Sequence, residues 1–159
     1  MRHDFPLNKF DELKKQAELK YQKVGTAYCP ALKVEVVFNS DGFHHLRYDN
    51  HRSERDKKVQ RNKFMFLDEA IEIIKTSTTI QEYRSGICPV GKADRSGFRK
   101  TKIVEWFGFF AITNFDRQIR VKTVIRRVGE GQYHFWSVMP FWKLSETKRV
   151  VGSVTLEDE

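Results

Sequence analysis

The segment from Ile103 to Met139 decides the fold, and its sequence is IVEWFGFFAITNFDRQIRVKTVIRRVGEGQYHFWSVM. Apolar and polar residues alternate in three stretches of this segment, at 103–113, 118–128 and 132–139. Alternation of this kind is typical of β-strands, and short groups of turn-forming residues separate the three stretches. We therefore expect three consecutive antiparallel strands, a β-meander.

Two amphipathic helices are predicted before the meander. Apolar residues at helical spacing predict the first from about Asn8 to Tyr21 and the second from about Asn62 to Lys75. The residues expected to face the core are Phe10, Leu13, Ala17, Tyr21, Phe64, Leu67, Ala70, Ile71 and Ile74.

Short strands are predicted at 34–38 and 80–84, and residues 39–42 predict a turn. From Ser85 to Lys102 glycine and proline interrupt a run of basic residues, which predicts a mobile basic loop. The alternatives for this loop are a functional role and a solvated insertion.

The predicted fold class is α+β, with the N-terminal helices packed on one face of an antiparallel meander of about four strands. A chain of 159 residues is most simply one domain. We divide it into an N-terminal helical segment at 1–30, a core at 33–142 and a tail at 143–159.

Composition favours a polyanion as the partner. The formal net charge is +8, the isoelectric point is near 9.5, and aromatic residues make up 13% of the chain. Charge and aromatic rings together are what single-stranded nucleic acid requires. The alternative is a basic protein that binds no polyanion. The longest apolar run has seven residues, so we expect no membrane span, and the N-terminus predicts no signal peptide.

The two cysteines, Cys29 and Cys88, lie 59 residues apart with no further Cys or His at zinc spacing. We interpret them as reduced thiols and expect a cytoplasmic protein that needs neither a metal nor a cofactor.

The lengths of the two turns predict which side chains share a face of the sheet. A turn of two or four residues around 114–117 places Glu105 opposite Arg126, and a three-residue turn at 129–131 places Arg126 opposite His134. The same face receives Phe107, Phe109, Arg120, Lys122, Val124, Gln132, Trp136 and Val138. The other face is the predicted core, with Val104, Trp106, Phe110, Ile112, Ile119, Val121, Ile125, Tyr133, Phe135 and Met139.

A carboxylate, a guanidinium and an imidazole side by side suit RNA cleavage without a metal. The 2′-hydroxyl attacks its own phosphodiester, which requires a base, a cation for the developing charge and an acid for the 5′-oxygen. We predict Glu105 or a histidine as the base, Arg126 with Lys122 or Arg120 as the cation, and His134 as the acid. Trp136 and Phe107 would stack on bases. The alternative is an ordinary cross-strand ion pair beside a packed histidine.

Two further elements carry a resemblance to a known family. Gly42-Phe43-His44-His45-Leu46 follows an early strand and precedes a segment with Arg52, Arg55 and Arg61, and the chain has a late strand at 134–140 that contains Ser137. In these features the chain resembles the barnase/EndoU/RelE-like nuclease superfamily, in the form found in phages and mobile elements.

The resemblance implies one or two N-terminal helices on a four-stranded antiparallel meander, over about residues 33 to 142. It implies that His45 is a base or acid, with His44 as the alternative match. It further implies that Arg61 is a phosphate ligand and that Ser137 lies near the scissile group.

The sequence therefore predicts a toxin-like, metal-independent endoribonuclease that leaves a 2′,3′-cyclic phosphate, with RNA as its partner. The resemblance also implies an acidic antitoxin or immunity protein. The alternatives are a non-catalytic RNA- or DNA-binding domain that uses the same basic aromatic sheet face, and a structural or inhibitory protein with a decayed site.

Overall fold

The computed structural model describes residues 7–114 and 118–141, which form four helices and six strands. The helices are α1 Leu7–Val24, α2 Ser40–Arg47, α3 Lys57–Met65 and α4 Leu67–Thr76. The strands are β1 Thr26–Cys29, β2 Val34–Val37, β3 Glu82–Val90, β4 Lys100–Asn114, β5 Gln118–Val128 and β6 Tyr133–Phe141. The predicted tail at 143–159 lies outside the described residues. Among the described helices, none combines the length and the apolar character needed to cross a membrane.

All six strands form one sheet in the order β1-β2-β6-β5-β4-β3. The α+β class is confirmed, and β3 to β6 form an antiparallel meander. The expectation of about four strands, all antiparallel, is wrong. An additional hairpin of β1 and β2 extends the sheet beyond β6, and β2 runs parallel to β6 at one pair, Val37 opposite His134. The predicted strand at 34–38 is confirmed by β2, whereas β1, with only four residues, was not predicted.

The predicted mobile loop at 85–102 is instead most of a β-hairpin. Cys88 lies opposite Lys102 and Pro89 lies opposite Thr101. Pro89 is tolerated because β3 is an edge strand, where a missing N–H leaves no gap in the sheet. The last pair between β4 and β5 joins Val104 and Val128. Residues 87–103 therefore project beyond the rest of the sheet, and we call them the arm.

The helical predictions need two corrections. The predicted turn at 39–42 begins α2, because the Asn39 side chain accepts a hydrogen bond from the Gly42 N–H and caps the helix. The second predicted helix is two helices, α3 and α4, separated at Phe66. The core predictions for the helices are confirmed except at Leu13, which is half-buried.

The main core lies between the helices and one face of the sheet. Its buried residues from the meander are Phe107, Phe109, Ile119, Val121, Ile125, Phe135 and Val138. Three of these, Phe107, Phe109 and Val138, were predicted on the other face. Conversely, Val104 and Trp106 were predicted in this core but belong to a smaller cluster with Val124.

Candidate nucleic-acid interface

The pairing of β4, β5 and β6 settles which polar side chains meet. Arg126 lies opposite His134, as predicted. The predicted pairing of Glu105 with Arg126 is wrong, because Trp106 lies opposite Arg126 and Glu105 lies opposite Arg127. The cause is the turn: Asn114 pairs with Gln118, so three residues connect the strands instead of two or four.

Glu105 consequently belongs to the other face of the sheet. Its carboxylate accepts a hydrogen bond from the Tyr83 hydroxyl at 2.9 Å and lies 3.9 Å from the Arg127 guanidinium. The structure therefore does not bring Glu105 together with Arg126 and His134.

A β-bulge in β6 projects Trp136 from the regular pairing. Ile125 lies opposite Phe135 and Val124 lies opposite Ser137, so Trp136 is an extra residue between two regular stretches. Bulges of this kind turn a side chain to a new direction and are frequent beside functional sites.

Buried polar groups from two elements hold this bulge. The Lys63 ammonium of α3 donates to the Ser137 hydroxyl at 2.8 Å and to the Val138 carbonyl at 3.1 Å. The Thr123 hydroxyl of β5 donates to the Ser137 carbonyl at 3.1 Å. Ser137, predicted near the scissile group, is thus fully buried and anchors the bulge.

Trp136 is the centre of a cluster of cationic and imidazole groups. The His45 ring lies almost parallel to it, with centroids 4.0 Å apart and 14° between the planes. The Arg126 guanidinium carbon lies 4.2 Å from the Trp136 ring centroid, and the His134 ring contacts Trp136 edge-on at 5.9 Å. His45, nominated by the resemblance, and Arg126 with Trp136, nominated by the strand pattern, therefore meet at one place.

Gly42 allows α2 to bring His45 to this place. A Cβ atom on Gly42 would lie less than 3.0 Å from the Phe135 carbonyl oxygen and from the Tyr21 hydroxyl. Only glycine lets the helix backbone approach β6 so closely. The close approach at Gly42 thus explains why a glycine stands three residues before His45 in this helix.

The cluster forms one side of a cleft of about 800 Å³. Part of the lining comes from α2 and the segment after it, and part from the arm. The lining residues are Asp41, His44, His45, Tyr48, Asp49, Asn50, Arg52, Cys88, Pro89, Gly91, Arg99, Trp106, Arg126 and Trp136.

Three guanidinium groups from three separate elements converge on this cleft, those of Arg52, Arg99 and Arg126. Arg52 has a backbone φ of 62°, a left-handed conformation that costs a non-glycine residue free energy. The segment around it is fixed, because the Asp49 carboxylate accepts hydrogen bonds from the His51 and Ser53 N–H groups. The strained backbone therefore presents a cation to the cleft.

Burial and neighbouring cations keep the clustered imidazoles neutral. The pKa of His45 is lowered to about 2, first by burial and then by Arg55, Lys63 and Arg126. Arg55 Nη2 lies 3.2 Å from His45 Nε2 and can only donate, so that imidazole nitrogen is its acceptor. His45 is thus neither charged nor free to take a proton.

His134 and Arg126 are affected by burial in the same way. The pKa of His134 is lowered to about 4 by burial and then by Arg126, and burial lowers the pKa of the Arg126 guanidinium. His134 is 5% exposed and does not line the cleft. It is therefore poorly placed to protonate a leaving group there.

The floor of the cleft is rich in buried nitrogen atoms that make no hydrogen bond within residues 7–114 and 118–141. They are Trp106 Nε1, Trp136 Nε1 and Arg126 Nε. All three carry a proton in every state of the protein, so each is a buried donor without an acceptor among the described residues. The lining carries three arginines and two aspartates, an excess of positive charge that favours an anionic or acceptor-rich ligand.

The other predicted contact residues lie in different places. His44 is on the cleft and stacks on Tyr48, with centroids 4.5 Å apart. Arg61 lies beside α1, away from the cleft. Phe107, predicted as a stacking residue on the open face, lies in the main core because of the shifted register.

Arg120 and Lys122 lie at the other end of the cleft-bearing face. Both cations pack on the Phe110 ring, at 4.3 Å and 5.3 Å from its centroid. The Lys122 ammonium is buried and pairs with Glu82 at 2.8 Å. Neither lines the cleft.

Sequence reasoning did not select Tyr48, Arg99 or Trp106 as contact residues. Arg99 stood in the predicted basic loop, but nothing local indicated that the loop folds back as a hairpin. Trp106 was assigned to the core by the one-residue register error. In the described part of the chain, no group of three or more His, Cys, Asp or Glu side chains is placed to hold a metal ion.

Comparison with protein-family models, curated proteins and solved structures gives no significant match for this chain.

Proposed function

We propose that the cleft binds single-stranded nucleic acid, and RNA in particular. The observation that carries this proposal is the convergence of three guanidinium groups with exposed and half-buried rings in one cleft. Guanidinium groups bind phosphate in a bidentate manner, and rings provide stacking surfaces for unpaired bases. A cleft of about 800 Å³ has room for more than one nucleotide unit.

In this proposal the two kinds of group have separate roles. Arg52 and Arg99 contact phosphates, since both are exposed and come from different elements. The stacked pair of His44 and Tyr48 receives a base at the edge of the cleft. The exposed carboxylate of Asp41 accepts a hydrogen bond from a ribose 2′-hydroxyl, a group that DNA lacks.

Fluorescence anisotropy with a labelled 12-nucleotide single-stranded RNA tests the proposal over a range of salt concentrations. We expect Arg99→Ala to weaken binding roughly tenfold, since it removes a charge-assisted contact. The slope of log K against log salt should become shallower by about 0.7 for each lost phosphate contact.

Lys75→Ala is the matched control, because it removes the same charge from an exposed position on α4, outside the cleft. Equal weakening by both substitutions would indicate attraction to the overall charge of +8 rather than binding in the cleft. Absence of RNA binding by the unmodified protein at low salt would refute the proposal. A DNA strand of the same sequence tests the role given to Asp41.

A second candidate function is metal-independent RNA cleavage, and the position of His44 favours it. His44 is exposed, lines the cleft together with Arg126, and unlike His45 has no arginine nitrogen at its ring in the described contacts. In this mechanism His44 takes the proton of the 2′-hydroxyl while a bond forms from the 2′-oxygen to phosphorus. The bond from phosphorus to the 5′-oxygen breaks, and that oxygen takes a proton from solvent.

Incubation of labelled RNA with the protein in excess EDTA tests this mechanism. Cleavage to a 2′,3′-cyclic phosphate that is lost in His44→Ala and kept in His51→Ala would support it. Intact RNA under conditions in which binding is complete would leave the binding function alone. A toxin-like role, an acidic partner and a decayed site all stay predictions.

A further inference from the structure

Phe98, at the tip of the arm, is unusually exposed for a large apolar residue. It is 75% exposed, although aromatic side chains generally contribute to cores and interfaces. A single exposed apolar side chain requires no explanation by itself. The evidence for a role of Phe98 therefore comes from the residues around it.

The tip of the arm is a built turn that holds this ring outward. The Asp94 carboxylate accepts hydrogen bonds from the Ser96 and Phe98 N–H groups, at 2.8 Å and 3.0 Å. The Asp94 N–H donates to the Phe98 carbonyl at 2.8 Å, and Gly97 takes a φ of 83° that suits glycine. The backbone of Phe98 is therefore fixed on both sides.

Phe98 belongs to a basic segment of the arm that reaches the cleft. Five basic residues and one acidic residue occur between Lys92 and Lys102. The next residue, Arg99, lines the cleft, and its Nε donates to the Gly91 carbonyl at 2.9 Å. An exposed aromatic residue on a fixed backbone, next in the chain to an arginine that lines the cleft, suits a strand that leaves the cleft.

We propose that Phe98 is a stacking platform for a base that lies outside the cleft. The ligand is then an extended single strand that runs from the cleft along the arm, and a mononucleotide or a very short oligomer occupies only part of the site. This inference rests on the proposed function of the cleft. It adds a second contact region and therefore a dependence of affinity on strand length.

The test compares a labelled 4-nucleotide RNA with a labelled 12-nucleotide RNA by anisotropy at one salt concentration. Phe98→Ala should weaken binding of the longer strand roughly tenfold and leave the affinity for the shorter strand unchanged. Phe98→Trp should bind the longer strand as tightly as the unmodified protein, because a larger ring keeps the stacking surface. Thermal unfolding of each variant confirms that these exposed substitutions leave the fold intact.

Ile87→Ala is the matched control, because Ile87 is 76% exposed on the same arm but has no ring to stack. An equal loss in this variant would overturn the role of Phe98 in favour of general apolar contact. If Phe98→Ala binds the longer strand as well as the unmodified protein does, the inference is overturned and the cleft proposal stands. The exposed ring would then be a contact for a protein partner instead. Failure of both strands to bind the unmodified protein would refute the cleft proposal itself.

Discussion

The two faces of the sheet differ in how they use aromatic side chains. On the helix-covered face, Phe107, Phe109 and Phe135 are buried among other apolar groups in one large core. On the opposite face, Trp136 contacts Arg126 and two imidazoles, while Trp106 packs in a small cluster with Val104 and Val124. Both indole N–H groups lack a hydrogen-bond partner among the described residues. The first arrangement maximises apolar burial, whereas the second leaves buried donors unpaired at a cost in stability.

This difference teaches which substitutions should separate folding from binding. Side chains on the helix-covered face should control the free energy of unfolding, because they provide most of the buried apolar area. Side chains at the cleft should control affinity with smaller effects on stability. Gly42 should affect both stability and affinity, since it sets the distance between α2 and β6.

The largest expected effect is on the free energy of unfolding, when a core side chain on the helix-covered face is removed. Leu67→Ala removes a fully buried side chain of α4 and should lower the free energy of unfolding by about 3 kcal/mol. RNA affinity of the folded fraction should not change. Urea denaturation and anisotropy measure the two quantities, with the exposed Leu19→Ala as control. Parallel losses of stability and affinity would contradict the separation of the two faces.

Gly42→Ala should impair both properties at once. The added methyl group would collide with the Phe135 carbonyl, so α2 must move away from β6 at a cost of about 2–3 kcal/mol. The same movement should separate His45 from Trp136 and weaken RNA binding. Gly86→Ala is the control, because a Cβ there meets no atom within 4 Å and the φ is ordinary. If both variants unfold at the same urea concentration, the close approach is not required.

Stability should fall as the pH is lowered, because two buried histidines resist protonation. Their pKa values are about 2 for His45 and about 4 for His134 in the folded protein, against 6.5 for an ordinary histidine. As pH falls through 6.5 the unfolded chain takes up protons that the folded protein does not, so unfolding becomes easier. We expect a loss of about 2 kcal/mol between pH 7 and pH 5.5.

Urea denaturation at several pH values measures this loss. In His134→Gln the dependence should be roughly halved, because one of the two groups no longer titrates. The exposed His51→Gln should leave it unchanged. A free energy of unfolding that is constant from pH 7 to pH 5.5 would show that the cluster accepts protons readily.

The smallest expected effect concerns the strained backbone at Arg52. Arg52→Gly relieves the left-handed conformation and should raise the free energy of unfolding by up to about 1 kcal/mol. It should also weaken RNA binding roughly tenfold through the lost phosphate contact. Lys33→Gly relieves a similar φ of 55° outside the cleft. That control should gain stability with unchanged affinity, and a loss of affinity there would argue against a specific role for Arg52.

The sequence was most informative where a pattern extended over many residues. The bounds of β5 and the pair formed by Arg126 and His134 follow directly from alternation and turn length. The apolar faces of the helices were likewise predictable, as Phe64 and Ile74 illustrate.

The wrong predictions occur where a single residue decides the strand pairing or the direction of a side chain. The turn after Asn114 is one residue different from the predicted lengths, and this moved Glu105 and Trp106 to the wrong faces. The bulge at Trp136 depends on a buried lysine from a distant helix, which no local pattern reveals. The cleft needs the arm and α2 to approach each other, and tertiary packing decides that approach.

The bulge makes the arrangement around Trp136 sensitive to the deletion of a single residue. Deletion of Trp136 would leave Ile125 opposite Phe135 and Val124 opposite Ser137, now in an uninterrupted ladder. A homologue shorter by this one residue would keep the scaffold and lose the ring on which His45 and Arg126 pack. Strand length at this position would therefore separate homologues that keep the proposed binding site from those that keep only the architecture.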